Sequence, residues 1–410
     1  MKQHDNDLPD RLGCLLPSFP VSEQHKSAME TFRRVIREDI APMAAENDRQ
    51  GRYPRQSIAA LKAADFLRVP VPVAHGGLGF SQALSQHLMF ELGRADPAVA
   101  QIYKVHDDLT RELLDVGSER FCAALVKAVC EDRAIIGAAI AENGRSVDQF
   151  GQVTAAPDGE GGYVLNGRKI YATGAAGADL ILVASFDLGQ QAMRLDLVPA
   201  GTPGMTIGQD WDRLGQRATD SGSVTFENLR THPNWSALAP GRMPPVHGSL
   251  RYQNGFSMIL LGIGAGALNA ANDFVVTTSR PWPSAQVERA SDDLLVRRLF
   301  GEIGADLAAA CALGRNAAEL LDAFERAEVS RTDVAMSVYA ARSSATRSAL
   351  RATSDLMSVL GARVTDARVG FDRYWRDART LSLHDPVEWK HEEIGRHLLT
   401  GWEPPPGLYQ

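Results

Sequence analysis

Apolar residues recur at three- and four-residue spacing through QSIAALKAADFL (56–67) and RFCAALVKAVC (120–130), the pattern of a helix with one buried face. Between them VPVPVAHGGLGFS breaks the period with Pro and Gly and predicts a loop. The stretch SQALSQHLMFELGRADPAVAQIYKVHDDLTRELLDVG then predicts two helices joined at Ala95-Asp96-Pro97. From about residue 136 the character changes. GYVLNGRKIYATGA, ADLILVASF, RLDLVPAG and SGSVTFENL are short runs of Val, Ile, Leu and Tyr separated by Gly, Asn and Asp. They predict a compact antiparallel β domain, with Asn166-Gly167 as a hairpin signal. From about residue 250 the helical period returns in DDLLVRRLFGEIGADLAAACALGRNAAELLDAFERA, SVYAARSSATRSALRATSDLMSVLG and PVEWKHEEIGRHLL, long Ala-rich stripes that suggest a bundle.

The predicted fold class is therefore α+β, mostly α. An N-terminal helical domain spans 22–135, a central β domain 136–245, and a C-terminal four-helix-type bundle with its tail 246–410. Gly262, Gly264 and Gly266 imitate a dinucleotide loop, but no strand precedes them and the GxGxxG spacing is absent, so close helix packing is expected.

Composition changes this picture little. A net charge of -7, with no Lys/Arg run, argues against a general nucleic-acid binder. The N-terminus MKQHDNDLPDRLG has no apolar core of a signal peptide, and the longest apolar run, MILLGIGAGALNAA, is short for a membrane span, so a cytoplasmic protein is expected. Cys14, Cys122, Cys130 and Cys311 are scattered without metal-ligand spacing. In KHEEIGRH the histidines His391 and His397 are six apart, on different helix faces, so no metal site is expected.

The α–β–α order, with AAIAENGRSVD opening the β region, YVLNGRKIYATGAAGADLILVAS within it, then TFENL, Arg280 after a long helix, and LGARVTDARVGFDRYWRDAR, resembles the acyl-CoA dehydrogenase superfamily over nearly the whole chain. The resemblance implies a flavin held between the β domain and the C-terminal bundle, and a homotetramer whose neighbouring subunits complete the site. It places Tyr171 as the aromatic wall of the isoalloxazine and Thr173 as the hydroxyl partner of flavin N5. Ala141, Glu142, Asn143 and Ser146 fall in the loop around the flavin's pyrimidine edge and phosphates, although Ala141 and Asn143 replace the usual threonine and proline. Arg280 falls at a phosphate-binding arginine, often of a neighbouring subunit, and Ser221 is a further cofactor-binding candidate.

The stretch RDARTLSLHDP (376–386) separates two branches of that superfamily. Where a thioester dehydrogenase carries its catalytic glutamate, this chain has Asp385, with His384 before it and Pro386 after it. Asp is about one methylene shorter, and a displacement of ~1 Å can cost on the order of a hundredfold. Asp385 also suits the N-cap of the helix that follows. The phrase WRDARTLSLHDP, with DPAVAQIYKVH and SRPW…VERASDD, is closer to the two-component flavin monooxygenases resembling dibenzothiophene monooxygenase and the sulfur-acquisition oxidoreductases.

That resemblance implies an enzyme that receives reduced FMN (or FAD) from a separate NAD(P)H-dependent flavin reductase. It forms a C4a-hydroperoxyflavin with O2 and oxygenates a small substrate at S, N or an electron-rich carbon. His384 would donate to the peroxide, Asp385 would orient His384, and His106 would face the substrate cavity. Leu381 stands where the branch commonly has a histidine and is expected to open one side of that cavity. An acyl-CoA dehydrogenase or flavin oxidase with a non-standard base, and a catalytically silent flavin-fold scaffold, are the alternatives.

Overall fold

The computed structural model describes residues 12–16, 19–143, 151–237 and 248–407. Its first part is helical: α1 (Glu23–Val35), α2 (Ala44–Gln50), α3 (Arg55–Ala63), α4 (Gln82–Ala95), α5 (Pro97–Val116) and α6 (Glu119–Cys130). Helices α4 and α5 part at Asp96, whose carboxylate accepts from the backbone N–H of Ala98 and Val99, so the acidic N-cap and Pro97 at the first helical position define the break.

The β region contains β1 (Ile136–Ala139), β2 (Thr154–Pro157), β3 (Tyr163–Lys169), β4 (Leu180–Asp187), β5 (Ala192–Pro199), β6 (Met205–Ile207) and β7 (Val224–Arg230). The sheet runs β1-β4-β2-β3-β7-β6, with β5 also on β4. It is mixed rather than antiparallel, because β4 pairs in parallel with both β1 and β2. Nor does Asn166-Gly167 turn a hairpin. Both residues lie inside β3, where the register against β7 slips between Leu165 and Gly167. Gly167 has φ +133°, and a Cβ there would stand 2.2 Å from the Gln152 carbonyl, so glycine serves a bulge and a close backbone approach.

The bundle is α7 (Gly248–Thr277), α8 (Leu294–Glu325), α9 (Arg331–Leu360), α10 (Asp372–Ser382) and α11 (Val387–Thr400). Helix α7 is long and apolar enough to cross a membrane by length and composition, and here it is the buried axis of the bundle. One apolar cluster joins α4, α5 and α7 to α8, α9 and α10, so the helices before and after the sheet share a core. The sheet keeps a second cluster of its own around Val153, Leu165, Val183 and Phe226.

Candidate active site

After β3 the chain turns sharply at Tyr171, a non-glycine residue with φ +52°, and this conformation leaves its ring open to solvent. The turn is held by Thr173, whose carbonyl accepts from Ala138 of β1 at 3.0 Å. Thr173 Oγ1 lies 3.0 Å from Ser221 Oγ, and Ser221 Oγ lies 2.8 Å from Thr219 Oγ1, a chain of three hydroxyls. Gln216 and Asp220, in the loop that presents Ser221, also have positive φ. Non-glycine strain gathered in two facing loops marks a region shaped for something other than stability.

Trp211, which the sequence did not single out, meets the Tyr171 ring edge-on with centroids 6.0 Å apart, and its indole N–H donates to the Gln216 carbonyl at 3.0 Å. The Arg213 guanidinium lies 5.1 Å from the Trp211 ring centroid and 5.8 Å from that of Tyr171. An exposed flat ring beside a row of hydroxyls is the donor set a flavin needs, an apolar wall and fixed polar partners for its ring nitrogens, so the residues present fit the group.

Helix α10 anchors this loop to the bundle. Asp377 Oδ1 accepts from Gln216 N at 2.5 Å, and Arg376 grips both carboxylate oxygens of Asp48 at 2.8 and 2.6 Å while donating to the Leu214 carbonyl. A Cβ at Gly215 would sit 2.0 Å from the Arg376 carbonyl, so only glycine lets the loop pass. Asp377 is pushed up to about 7, chiefly by burial. The Arg-Asp pair of RDARTLSLHDP is thus a clamp between the sheet and the helices.

His384 follows at the end of α10. Its ring packs on Phe256 of α7 with centroids 4.1 Å apart, and Nδ1 lies 3.9 Å from Asp385 Oδ1. Crowding by surrounding atoms lowers the imidazole to about 4, with Lys104 and Arg342 acting in the same sense and Asp385 against them. Since 49% of the side chain is open to solvent, water tempers the size of this shift but not its direction: His384 lies in a recess and stays neutral near pH 7.

Models of the N-terminal, middle and C-terminal domains of acyl-CoA dehydrogenase match residues 22–132, 137–229 and 254–389. The chain belongs to the acyl-CoA dehydrogenase family. Within the family it is 33% identical over 394 residues to dibenzothiophene monooxygenase of Rhodococcus qingshengii, covering 92% of this chain and 94% of that protein. It is 28% identical over 399 residues to SfnC of Pseudomonas putida, a probable FMNH2-dependent monooxygenase, covering 95% and 99%. The crystal structure of FMN-bound TdsC from Paenibacillus sp. A11-2 superposes with a TM-score of 0.88 at 30% identity, covering 94% of this chain and 100% of that one. The branch of the family is that of the flavin-dependent monooxygenases.

Several family positions do something other than the sequence implies. His106 does not face a cavity. It is fully buried between α5 and β1, with Nε2 2.9 Å from the Leu67 carbonyl and Nδ1 accepting from Ile136 N at 3.2 Å, so neither nitrogen is left for substrate. The Glu142 carboxylate is likewise occupied, by the N–H groups of Gly151, Gln152 and Val153 and by buried Lys169, and only its backbone remains for a flavin edge.

Asp385 does not cap α11, which starts after Pro386 without a side-chain cap; it is buried against Arg342 of α9 at 3.3 Å. Leu381 opens no cavity: it packs in the main apolar cluster. The Ala141 carbonyl accepts from Ile170 N at 2.9 Å, which ties the loop to the Tyr171 strand, and Asn143 is exposed. Ser146 lies outside the described residues. Arg280 is exposed just after α7, and no hydrogen bond, ion pair or ring contact joins it to the Tyr171 group among the described residues.

Proposed function

We propose that this protein is the oxygenase of a two-component system, taking reduced FMN from a separate NAD(P)H-dependent reductase in the cytoplasm. When bound, reduced FMN supplies the two electrons that let O2 deliver one oxygen atom to substrate and the other to water. Tyr171 and Trp211 wall the ring, Thr173 and Ser221 fix its polar edge, and Arg280 of a neighbouring copy in a homotetramer takes the phosphate. The neutral imidazole of His384 donates a hydrogen bond where oxygen is activated and denies it a stray proton. The substrate is small and oxidised at sulfur, nitrogen or an electron-rich carbon.

The observation that carries this reading is the fate of the dehydrogenase base. At its position the chain has Asp385, buried and pinned by Arg342, with the recessed, neutral His384 just before it. A pinned carboxylate of that kind cannot swing to an α-proton. The test is rapid mixing of protein and reduced FMN with oxygenated buffer. A transient oxygenated-flavin spectrum that outlives free flavin is expected. Tight copurified flavin, bleached anaerobically by an acyl-CoA, would overturn the reading in favour of a dehydrogenase.

A further inference from the structure

Beside His384 the bundle buries a group of charges to which the flavin chemistry assigns no role. Lys104 and Asp108, one turn apart on α5, pair at 2.8 Å, and both are buried. Arg251 of α7 lies with Nε 3.5 Å from Asp108 Oδ1, while its Nη2 donates to the Asp108 carbonyl at 3.1 Å. Arg342 of α9 is fully buried, and its Nη2 reaches only Asp385 and the Leu381 carbonyl, each at 3.3 Å. Its Nε and Nη1 have no hydrogen-bond partner among the described residues.

The Phe256 ring is common to the group. Lys104 Nζ lies 3.8 Å from its centroid, the Arg342 guanidinium 5.4 Å, and the His384 ring 4.1 Å. Gly255 makes room for the lysine, since a Cβ there would come within 2.8 Å of Lys104 Cε.

Buried ion pairs are a poor route to stability, because apolar side chains of similar volume usually do as well or better. Here three cations, Lys104, Arg251 and Arg342, face the paired carboxylates Asp108 and Asp385, with Glu112 and Asp115 further along α5 acting on Arg251. Glu112, the next acid along α5, is hydrogen-bonded by the Tyr252 hydroxyl and pushed up to about 7, mainly by burial. Two guanidinium nitrogens of Arg342, Nε and Nη1, are left without a partner among the described residues, and an oxyanion satisfies both.

We propose that this cluster recognises the anionic end of the substrate, so that the protein oxygenates a small organic oxyanion, a carboxylate, sulfinate or sulfonate. Lys104 and Arg342 take the charge, and the atom to be oxidised lies on the open side of His384. A neutral polycyclic substrate would leave the same N–H groups unpaired, so the cluster also sets specificity. This inference rests on the monooxygenase reading for its chemistry, but binding can be measured apart from it.

The test is calorimetry at pH 7 with benzenesulfinate and benzoate against neutral methyl phenyl sulfone and dibenzothiophene. The anions are expected to bind at least tenfold tighter than either neutral probe. Lys104→Gln should weaken them at least tenfold, and so should the charge-balanced Lys104→Gln/Asp108→Asn variant, in which no carboxylate is stranded, with FMN affinity unchanged in both. Equal affinity for neutral probes, no anion binding up to millimolar concentration, or full anion affinity in the double variant would overturn the proposal. If oxygenated flavin forms but anions neither bind nor hasten its decay, the anion site falls and the monooxygenase stands. If anions bind through Lys104 but no oxygenated flavin appears, the site stands and the monooxygenase falls.

Discussion

His384 is a histidine whose charge is decided by its surroundings. Lost hydration and the nearby cations of Lys104 and Arg342 hold it neutral, and Asp385 at 3.9 Å is too distant and too engaged with Arg342 to reverse that. The sign is that of a depressed base: protonation begins only as pH falls from the ordinary ~6.5 towards 4, below the working range. The ratio of product to oxygen consumed should therefore stay flat through neutral pH and fall only at a pH below the step at ~6.5 that an ordinary imidazole would show. His384→Ala should keep FMN binding while diverting oxygen to H2O2, with product per oxygen falling roughly tenfold or more. Unchanged product formation in that variant would remove His384 from the mechanism. Tyr171, Thr173 and His384, the residues proposed to meet flavin and oxygen, each sit in a short local phrase that the sequence shows. Trp211 and Arg213 do not, since their tie to Tyr171 runs across two loops some forty residues apart. His106 misled because a histidine reads the same whether its nitrogens face a ligand or two backbone groups.

At the scale of elements, glycines decide how closely helices approach. A Cβ at Gly262 would lie 2.4 Å from the Phe90 carbonyl, and one at Gly266 would lie 2.5 Å from the Arg94 carbonyl, so α7 crosses α4 backbone to backbone. The expected packing role of these residues is what the helices use. Gly262→Ala should force the pair apart and cost about 3 kcal/mol of stability, measured by chemical denaturation, whereas Gly301→Ala, where an added Cβ meets nothing within 4 Å, should be neutral or slightly stabilising. Asn166-Gly167 shows the opposite case. The dipeptide is the strongest short hairpin signal, yet the approach of Gln152 and the pairing with β7 turn it into a bulge. Helix α10 carries the Arg376-Asp377-Ala378 motif that the sequence shows. Its use as a clamp depends on Gly215 and Asp48, both far away in sequence.

On the scale of the whole molecule, large apolar side chains remain on the surface of the bundle, among them Trp282, Leu294, Leu295, Trp389, Leu398 and Leu399. Exposed apolar residues in such number favour assembly, which supports the proposed homotetramer and the proposed reach of Arg280 into a neighbour's flavin site. Light scattering should give four chains. Leu398→Glu/Leu399→Glu should lower that number and weaken FMN binding with it, and a monomer that binds FMN as well as the assembly would place the whole site in one chain. The sequence by itself determined the order of elements and singled out the turn proposed to face the flavin, because periodicity, Gly/Pro punctuation and local motifs are properties of neighbouring residues. Only the tertiary structure decided that His106, Glu142 and Leu381 are internal supports and that Asp385 belongs to Arg342. It also gathered Lys104, Arg251 and Arg342, set on three different helices, beside His384. Burial and pairing depend on residues brought together from distant parts of the chain, and no local pattern records them.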